Sequence, residues 1–180
     1  NTYASSYLNK TYLRQTFFEL LDNDIQNVVK QVKIPYNPGG AGTPANKTGS
    51  DGLSTKVFLL SGYEVGFTTS NNIPEDSAAL EYFRDATSGK RIASIDGSAI
   101  QWWLRTPYLR TTNYVSTVNT SGEYERKAAS SGNGGVRPAM IFPQKLTVDS
   151  DGFLITNVAP TITSPSGATG VSLGEKKDKF

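Results

Sequence analysis

The sequence predicts an α+β fold with N-terminal helices, an antiparallel sheet and long loops. Apolar residues at helical spacing are concentrated in residues 3–31, whereas most of the remainder alternates between short β-like segments and polar stretches. Hydrophobic residues make up 37% of the 180-residue chain, and its 17 glycines favour a loop-rich fold over a helical bundle. This length accommodates one domain with a sizeable core and a shorter additional segment.

Two helices are predicted within residues 3–31. Residues 22–24 interrupt the apolar pattern, because their short polar side chains compete for backbone hydrogen bonds and favour helix caps. The second helix runs from Ile25 to Val29, and residues 32–36 leave it as a short strand. The buried face of the first helix is predicted to hold Leu13, Phe17, Leu20 and Leu21.

An exposed loop over residues 37–54 precedes the first long strand, which is predicted at residues 55–60. The loop is rich in glycine and proline and has almost no apolar residue. After the strand, Ser61 and Glu64 have the spacing of a capping box, which predicts a helical turn there. That motif gives Glu64 a structural role in preference to a catalytic one.

A short helix capped by Ser77 and running to Phe83 is the next predicted element. Residues 84–97 are polar and broken by glycines. We expect Ile92 and Ile95 to anchor this stretch in the core.

The central strand is predicted at residues 99–108, which hold both tryptophans of the chain. Because side chains alternate along a strand, Trp103 and Arg105 lie opposite the apolar face, on a side that we expect to be solvated. Pro107 ends the strand, since it lacks a backbone donor. The apolar face is predicted to hold Ile100, Trp102 and Leu104.

A second core strand is predicted at residues 135–142. One of its faces is expected to carry Val136, Met140 and Phe142, and the other Arg137 and Ile141. The structural core of the two motifs is predicted to comprise Trp102, Trp103, Arg105 and Arg137. Each arginine is expected either to anchor a loop by donating to backbone carbonyls or to pair with an acid such as Glu64.

A meander is predicted between these strands, and a hairpin after them. Residues 113–119 and 123–127 form the meander strands, with a turn at 120–122. The hairpin covers residues 145–154 and turns at 149–152. Its Asp-x-Asp-Gly pattern matches the start of a calcium loop, but the remaining EF-hand ligands are missing, so a simple turn is favoured.

The composition excludes several classes of chemistry. The chain has no cysteine and no histidine, which removes disulfides, thiolate nucleophiles, Cys/His zinc sites and Ser-His-Asp triads. No metal or cofactor is predicted. A net charge of +2, with no basic run apart from Lys176 and Lys177, argues against a nucleic-acid partner. No run of about eighteen apolar residues exists, so no membrane insertion is predicted.

Two units are predicted along the chain. Residues 1–156 form the α+β domain, and residues 157–180 form a linker and the start of a truncated β domain, because the composition shifts to Thr, Ser, Pro and Gly. Since residue 1 is not methionine, we expect the chain to be a piece of a longer protein.

Four sequence blocks in a fixed order resemble a widespread uncharacterised domain of Gram-positive bacterial surface proteins and of their phages' tail and virion proteins. The blocks are residues 7–9, 56–65, 102–107 and 135–139. The stretch 25–36 is similar to one in the phage members, and the resemblance covers about residues 1–145. Members usually have strands before the first block, which implies that this chain lacks its N-terminal strands.

The second pair of blocks is also similar to the core strands of the C-type-lectin-like fold, as found in formylglycine-generating enzymes and phage receptor-binding proteins. This resemblance implies a C-type-lectin-like architecture for residues 1–156. It does not imply the formylglycine activity, which works through cysteines, or calcium-dependent sugar binding, whose motifs are absent. Residues 157–180 resemble the opening of an immunoglobulin-like repeat.

The resemblance implies a non-enzymatic module of a phage virion, as a tail or capsid accessory, or of a cell surface. The implied partners are other virion or surface subunits and a host-surface glycan or protein, and a homo-oligomer is expected. The lectin-like analogy places the binding face between the two signature strands, where Tyr and Asn offer contact area and adaptable hydrogen bonds. The predicted contact residues are Tyr108, Asn113, Tyr114, Tyr124, Arg126 and Asn133. An ordinary solvated hairpin is the alternative.

The rival function is a cell-wall glycan hydrolase that uses two carboxylates. Its candidate acids are Glu64, Glu75, Asp76, Glu81 and Asp85. None of them lies in a distinctive apolar setting that would raise its pKa. A purely architectural oligomer subunit is the third possibility.

Overall fold

The computed structural model describes residues 2–40, 44–85, 87–144, 146–148, 150–151 and 154–155. Within them the chain has a few short helices and several small antiparallel sheets, which confirms the α+β class. The predicted linker and immunoglobulin-like start at 157–180 lie outside the described residues. No described helix combines the length and apolar character needed to cross a bilayer.

The helices are concentrated at the N-terminus, and the predicted break between them is confirmed. Asp22 precedes α1, and the turn before it separates α1 from the first long helix. The helix predicted from Ser77 is wrong, because only a 3₁₀ turn forms at its far end. The helical elements are 3₁₀-helices at Tyr3–Ser5, Gly49–Asp51, Thr69–Asn71 and Glu81–Phe83, a π-helix at Leu8–Phe17, α1 at Asn23–Val28 and α2 at Ser88–Arg91.

The π-helix changes which side chains face the core. Its backbone hydrogen bonds join residues five apart, so side chains four or five apart share a face. Leu13 is fully buried, and its packed neighbours Leu8, Phe17 and Phe18 lie four or five residues from it. Tyr12, which is next to Leu13, also packs against this cluster. Leu20, predicted to be buried, is 76% exposed because the helix has ended before it.

Eleven short strands are described, and they pair into five small sheets. They are β1 Val32–Ile34, β2 Leu53–Thr55, β3 Val57–Leu59, β4 Ala93–Ile95, β5 Ser98–Ile100, β6 Trp102–Pro107, β7 Tyr114–Val118, β8 Tyr124–Ala128, β9 Pro138–Met140, β10 Thr147–Val148 and β11 Leu154–Ile155. The pairs are β1–β2, β3–β9, β4–β5 and β10–β11, and the remaining sheet has the order β6–β7–β8. The predicted meander and closing hairpin are therefore confirmed.

The predicted strand at 55–60 is divided between two sheets. Lys56 separates β2, which pairs with β1, from β3, which pairs with β9. The second core motif is thereby bound to the chain eighty residues before it. A parallel bridge also joins the two motifs, since Trp103 N donates to Gly135 O at 3.1 Å and Gly135 N donates to Gln101 O at 2.6 Å.

β6 lies between two apolar clusters. The Trp102 cluster consists of Val65, Phe67, Ile73, Phe83, Trp102, Leu104 and Val118. The Leu13 cluster consists of Leu13, Val57 and Leu59, with partly buried neighbours that include Trp103, Val136 and Met140. The expectation of a solvated face at Trp103 and Arg105 is wrong, because the second cluster and the N-terminal helix cover it. The predicted end of the strand at Pro107 is confirmed.

The β4–β5 hairpin projects into solvent. Its turn residues Asp96 and Gly97 have φ of 50° and 79°, the left-handed values that a tight two-residue hairpin turn requires. The prediction that Ile92 and Ile95 anchor this stretch in the core is wrong. Both side chains are exposed, Ile95 to 57%.

Candidate functional site

The Tyr–Arg face is one side of the β6–β7–β8 sheet, and we define it by Tyr108, Tyr114, Tyr124 and Arg126. The register of β7 and β8 pairs Ser116 with Arg126 and places Tyr114 and Tyr124 at the two ends of the same face. Tyr108 follows β6, and its amide donates to the Tyr114 carbonyl at 3.1 Å. The structure therefore brings together four of the six predicted contact residues.

Arg126 is the exposed cation of this face. Its Nη1 donates to the Tyr108 hydroxyl at 2.9 Å, and its guanidinium carbon lies 4.5 Å from the Tyr108 ring centroid and 5.9 Å from that of Tyr114. Such cation–π contacts orient a guanidinium without using its other donors. Tyr108 is only 6% exposed, so its ring offers no contact surface. Tyr108 instead positions Arg126, which corrects its predicted role.

Tyr124 connects the face to the core. Its ring meets Phe67 edge-on, with centroids 5.4 Å apart, and its hydroxyl lies 3.4 Å from Ser116 Oγ. Burial raises the pKa of Tyr124, and the nearby Tyr108 hydroxyl adds to this, against the opposing effects of Ser116 and Arg126. Tyr124 is thus a half-buried, neutral hydroxyl fixed in the face.

The two predicted asparagines lie in different places. Asn113 is exposed directly before Tyr114, and its carbonyl accepts from Ala129 N at 2.8 Å, so it extends the β7–β8 pairing by one rung without a side-chain contact to the Tyr–Arg face. Asn133 is not part of that face. It lines a groove of about 470 Å³ with Gln101 and Lys127.

The opposite side of the same sheet carries a polar network that the sequence did not predict. Gln101 Nε2 donates to Thr117 Oγ1 and to Glu125 Oε2, both at 2.8 Å, and Lys127 Nζ donates to Gln101 Oε1. These residues meet because of the register of β6 on β7, which is a long-range pairing. The charged groups of Glu125 and Lys127 are both hydrogen-bonded to Gln101.

Arg105 is the centre of a buried ion network. It is 1% exposed and pairs with Glu64 through two hydrogen bonds of 2.6 Å. It also donates to the carbonyls of Pro35 at 3.0 Å and Leu59 at 2.9 Å. Both predicted roles of this arginine, carbonyl anchor and partner of Glu64, are therefore confirmed.

Glu64 also closes the predicted capping box. Ser61 N donates to Glu64 Oε2 at 2.9 Å, and Glu64 N donates to Ser61 Oγ at 3.1 Å, which confirms the motif. Ser77 does not cap a helix, because its hydroxyl lies 2.8 Å from Ser61 Oγ and donates to Asp76 Oδ1 at 3.2 Å. Glu64 thus has the structural role that the motif predicts.

Asp76 is the other buried acid of this region. It is 4% exposed, and its Oδ2 has no hydrogen-bond partner among the described residues. Burial raises its pKa, and the opposing attraction of Arg105 does not cancel that effect. The expectation that none of the candidate acids lies where its pKa is raised is therefore wrong for Asp76. Tyr3, which accepts from Leu59 N at 2.9 Å, borders the same network, and burial raises its pKa to about 12.

The remaining acids proposed for hydrolysis are at the surface. Glu81 pairs with Arg84 at 2.5 Å and Asp85 with Lys90 at 2.7 Å, while Glu75 is exposed. Within the described ranges, no group of three or more acidic side chains is placed to hold a metal ion.

Fold and site together define a small α+β domain that has a buried Arg105–Glu64 ion pair and, on its three-stranded sheet, an exposed arginine held against tyrosine rings. A model of a domain of unknown function (DUF6273) matches residues 1–144, and the chain belongs to this family. Comparison with curated proteins and with solved structures gave no match. The C-type-lectin-like architecture therefore stays a prediction.

Proposed function

We propose that this domain is a non-enzymatic module of a phage virion, as a tail or capsid accessory, or of a bacterial surface, and that it contacts a host glycan or protein. The resemblance of four sequence blocks to a domain of phage tail and virion proteins and of bacterial surface proteins supports the setting. The Tyr–Arg face supports the contact. In this proposal the domain lies outside the cell or on the virion, and its further partners are neighbouring subunits.

The observation that carries the binding role is the state of Arg126. It is exposed and held against two tyrosine rings. Among the described residues, its guanidinium donates one hydrogen bond, to Tyr108. Its other N–H groups are available to hydroxyl or carboxyl oxygens of a ligand. Tyrosine and arginine are the residues on which binding energy concentrates at protein surfaces, because they are large and lose little entropy when already ordered.

A binding experiment tests this role directly. The purified chain is applied to a glycan array and to whole Gram-positive cells, and the double variant Tyr114→Ala/Arg126→Ala is compared with it. We expect a loss of affinity of about tenfold or more, equivalent to about 1.4 kcal/mol. Arg84→Ala is the matched control, because it also removes one exposed arginine that pairs only on the surface. Unchanged binding by the double variant would refute the proposal.

Asn133→Ala locates the contact further. If the Tyr–Arg face is the binding surface, this variant binds like the wild type, since Asn133 lines the groove on the other side of the sheet. The setting is tested separately by sequencing the full reading frame and its neighbours. Tail or capsid genes beside it support the virion, and a cell-wall anchoring signal in the same frame supports the bacterial surface.

The glycan-hydrolase alternative depends on Glu64 and Asp76, the two acids that approach one another in the interior. Glu64 is held by Arg105 and Ser61, so a Glu64→Gln variant would report on folding as well as on activity. Asp76→Asn is the sharper variant. Release of reducing ends from cell-wall glycan by the wild type, lost in folded Asp76→Asn, would establish hydrolysis in place of binding.

The architectural alternative is tested by sedimentation. A symmetric oligomer that binds neither cells nor glycans would favour a purely structural subunit.

A further inference from the structure

We infer that a second surface, the Arg137 groove, binds a carboxylate that is carried on an apolar group. This groove lies between the β4–β5 hairpin and the segment before β9, and its volume is about 360 Å³. Its main lining residues are Ile92, Ile95, Ile100, Trp102, Val136 and Arg137. The inference does not depend on the Tyr–Arg face.

Arg137 has aromatic contacts but no hydrogen-bond or ion-pair partner among the described residues, so its predicted role as a carbonyl anchor or partner of an acid is wrong. Its guanidinium carbon lies 4.9 Å from the Trp102 ring centroid and 5.8 Å from that of Phe83. Among the described residues it forms no ion pair, and its buried Nη1 has no acceptor. A buried N–H without an acceptor is unfavourable, so a shift of the guanidinium toward a carboxylate in the groove that Arg137 lines would gain a hydrogen bond without breaking one.

The other arginines packed against the core have their acceptors. Arg91 donates to Gly122 O at 2.7 Å and to Val65 O at 3.3 Å, and Arg105 is bonded to Glu64 and to two carbonyls. Arg137 has the same aromatic support as Arg91, which lies 4.6 Å from the Phe67 ring centroid, but not the carbonyls. The difference distinguishes a structural arginine from one that is prepared for a ligand.

The walls of the groove define the rest of the ligand. A planar guanidinium suits a carboxylate, which accepts two parallel hydrogen bonds from it. The rim beside it is aliphatic, and its exposed members Ile92 and Ile95 would be covered by an apolar group next to the carboxylate. The volume suits a small molecule or the end of a peptide chain. N-acetylleucine has this chemistry and is the probe.

The two tryptophans provide reporters on opposite faces of β6. Trp102 lines the Arg137 groove, and its indole N–H donates to Arg91 O at 2.8 Å. Trp103 lies on the other face, where a Cβ at Gly134 would come within 2.6 Å of its Nε1. Because the chain has two tryptophans, ¹⁵N NMR shows two indole signals, which Trp103→Phe assigns.

The titration uses N-acetylleucine up to about 20 mM, above the millimolar Kd expected of one ion pair and one small apolar contact. We expect the Trp102 signal to shift and saturate and the Trp103 signal to stay. N-acetylleucinamide, which lacks the charge, and acetate, which lacks the apolar group, should each bind at least about tenfold more weakly. No shift of Trp102, or a shift of Trp103 alone, overturns the inference.

Variants separate the charge from the fold. Arg137→Gln should weaken N-acetylleucine binding at least about tenfold, and Arg84→Gln should leave it unchanged. Ile95→Asp tests the same site if Arg137→Gln fails to fold, because it keeps the guanidinium and places a repelling carboxylate on an exposed rim position. Wild-type affinity in folded Ile95→Asp refutes the site. The variant Tyr114→Ala/Arg126→Ala should bind N-acetylleucine with wild-type affinity.

Discussion

The interior around Arg105 and the surface around Arg126 use the same side chain in opposite ways. Arg105 is buried and donates to four oxygen atoms, two of them on Glu64. Arg126 is exposed and donates to one, the Tyr108 hydroxyl. A guanidinium with most of its donors used holds elements together, whereas one with most of them unused can recognise a ligand. Substitutions in the two regions should therefore affect different measurements.

The largest expected effect is on stability, from Glu64→Gln. Removing the negative charge leaves Arg105 buried without its ion-pair partner and weakens the capping box at Ser61. We expect the free energy of unfolding to fall by about 3–5 kcal/mol, as for other broken buried pairs. Urea denaturation followed by tryptophan fluorescence measures the loss. Glu81→Gln is the control, and should stay within about 0.5 kcal/mol because its pair with Arg84 is exposed. Equal effects of the two variants would contradict the distinction between interior and surface.

A second test compares the tips of two hairpins, one packed and one projecting. Gly122 and Gly97 both have left-handed φ, 78° and 79°. A Cβ at Gly122 would overlap the Ser88 carbonyl, whereas one at Gly97 would meet nothing within 4 Å. We expect Gly97→Ala to lower stability by about 1–2 kcal/mol through strain alone, and Gly122→Ala by about 1–3 kcal/mol more. Thermal unfolding of both variants measures the difference. Equal losses would show that the Ser88 backbone moves away from the added Cβ at no cost in stability.

The third test follows stability against pH. Burial raises the pKa of Asp76 above its usual 3.8. Between pH 3.8 and the raised pKa, the folded chain therefore binds more protons than the unfolded chain. The contribution of Asp76 to the free energy of unfolding is therefore most favourable at low pH, and it declines as pH rises through the raised pKa. We expect Asp76→Asn to gain stability relative to the wild type as pH rises from about 4 to 7.

The exposed acid Asp85 is the opposite case and serves as the control for Asp76. The hydrogen bond from Lys90 lowers its pKa, so its contribution is present above 3.8 and is lost as pH falls. Asp85→Asn should thus lose stability relative to the wild type as pH rises, although only slightly. Guanidinium denaturation curves at several pH values measure both trends, and the same trend in the two variants would exclude this explanation.

The smallest effect on stability is expected from Arg126→Ala. Its side chain is exposed, and its contacts are one hydroxyl and two rings, so we expect a change below about 1 kcal/mol. Its effect should appear in binding. A loss of several kcal/mol in calorimetry would show that Arg126 is structural, like Arg105, and would remove the basis for the binding role.

Local signals in the sequence predicted the elements that depend on neighbouring residues. The capping box at Ser61, the break before α1 and the strand end at Pro107 each follow from side chains within a few positions. The predicted face of the N-terminal helix is right for Leu13 and Phe17, which pack in the core, and wrong for Leu20, which is exposed. The i→i+5 hydrogen bonds of this helix are not signalled by apolar spacing, which was interpreted at a period of 3.6 and so included Leu20.

Features that depend on long-range pairing were not predictable from these patterns. The β3–β9 pairing and the N-terminal helix cover the second face of β6, so Trp103 and Arg105 are packed where a solvated side was expected. The split of the candidate site has the same cause. Asn133 and Arg126 are seven residues apart, but β8 and the following chain carry them to opposite sides of the sheet.

The backbone bridge between Gln101, Trp103 and Gly135 has a consequence for how this domain can be altered. It closes the base of an excursion of about thirty residues, whose two ends are fixed side by side by two backbone hydrogen bonds. Lengthening a closed loop costs little entropy, about 0.6 kcal/mol for each doubling. Insertions at the exposed residues 132 and 133, which follow β8 and precede the bridge, should therefore be tolerated while the strands and the core below stay as they are.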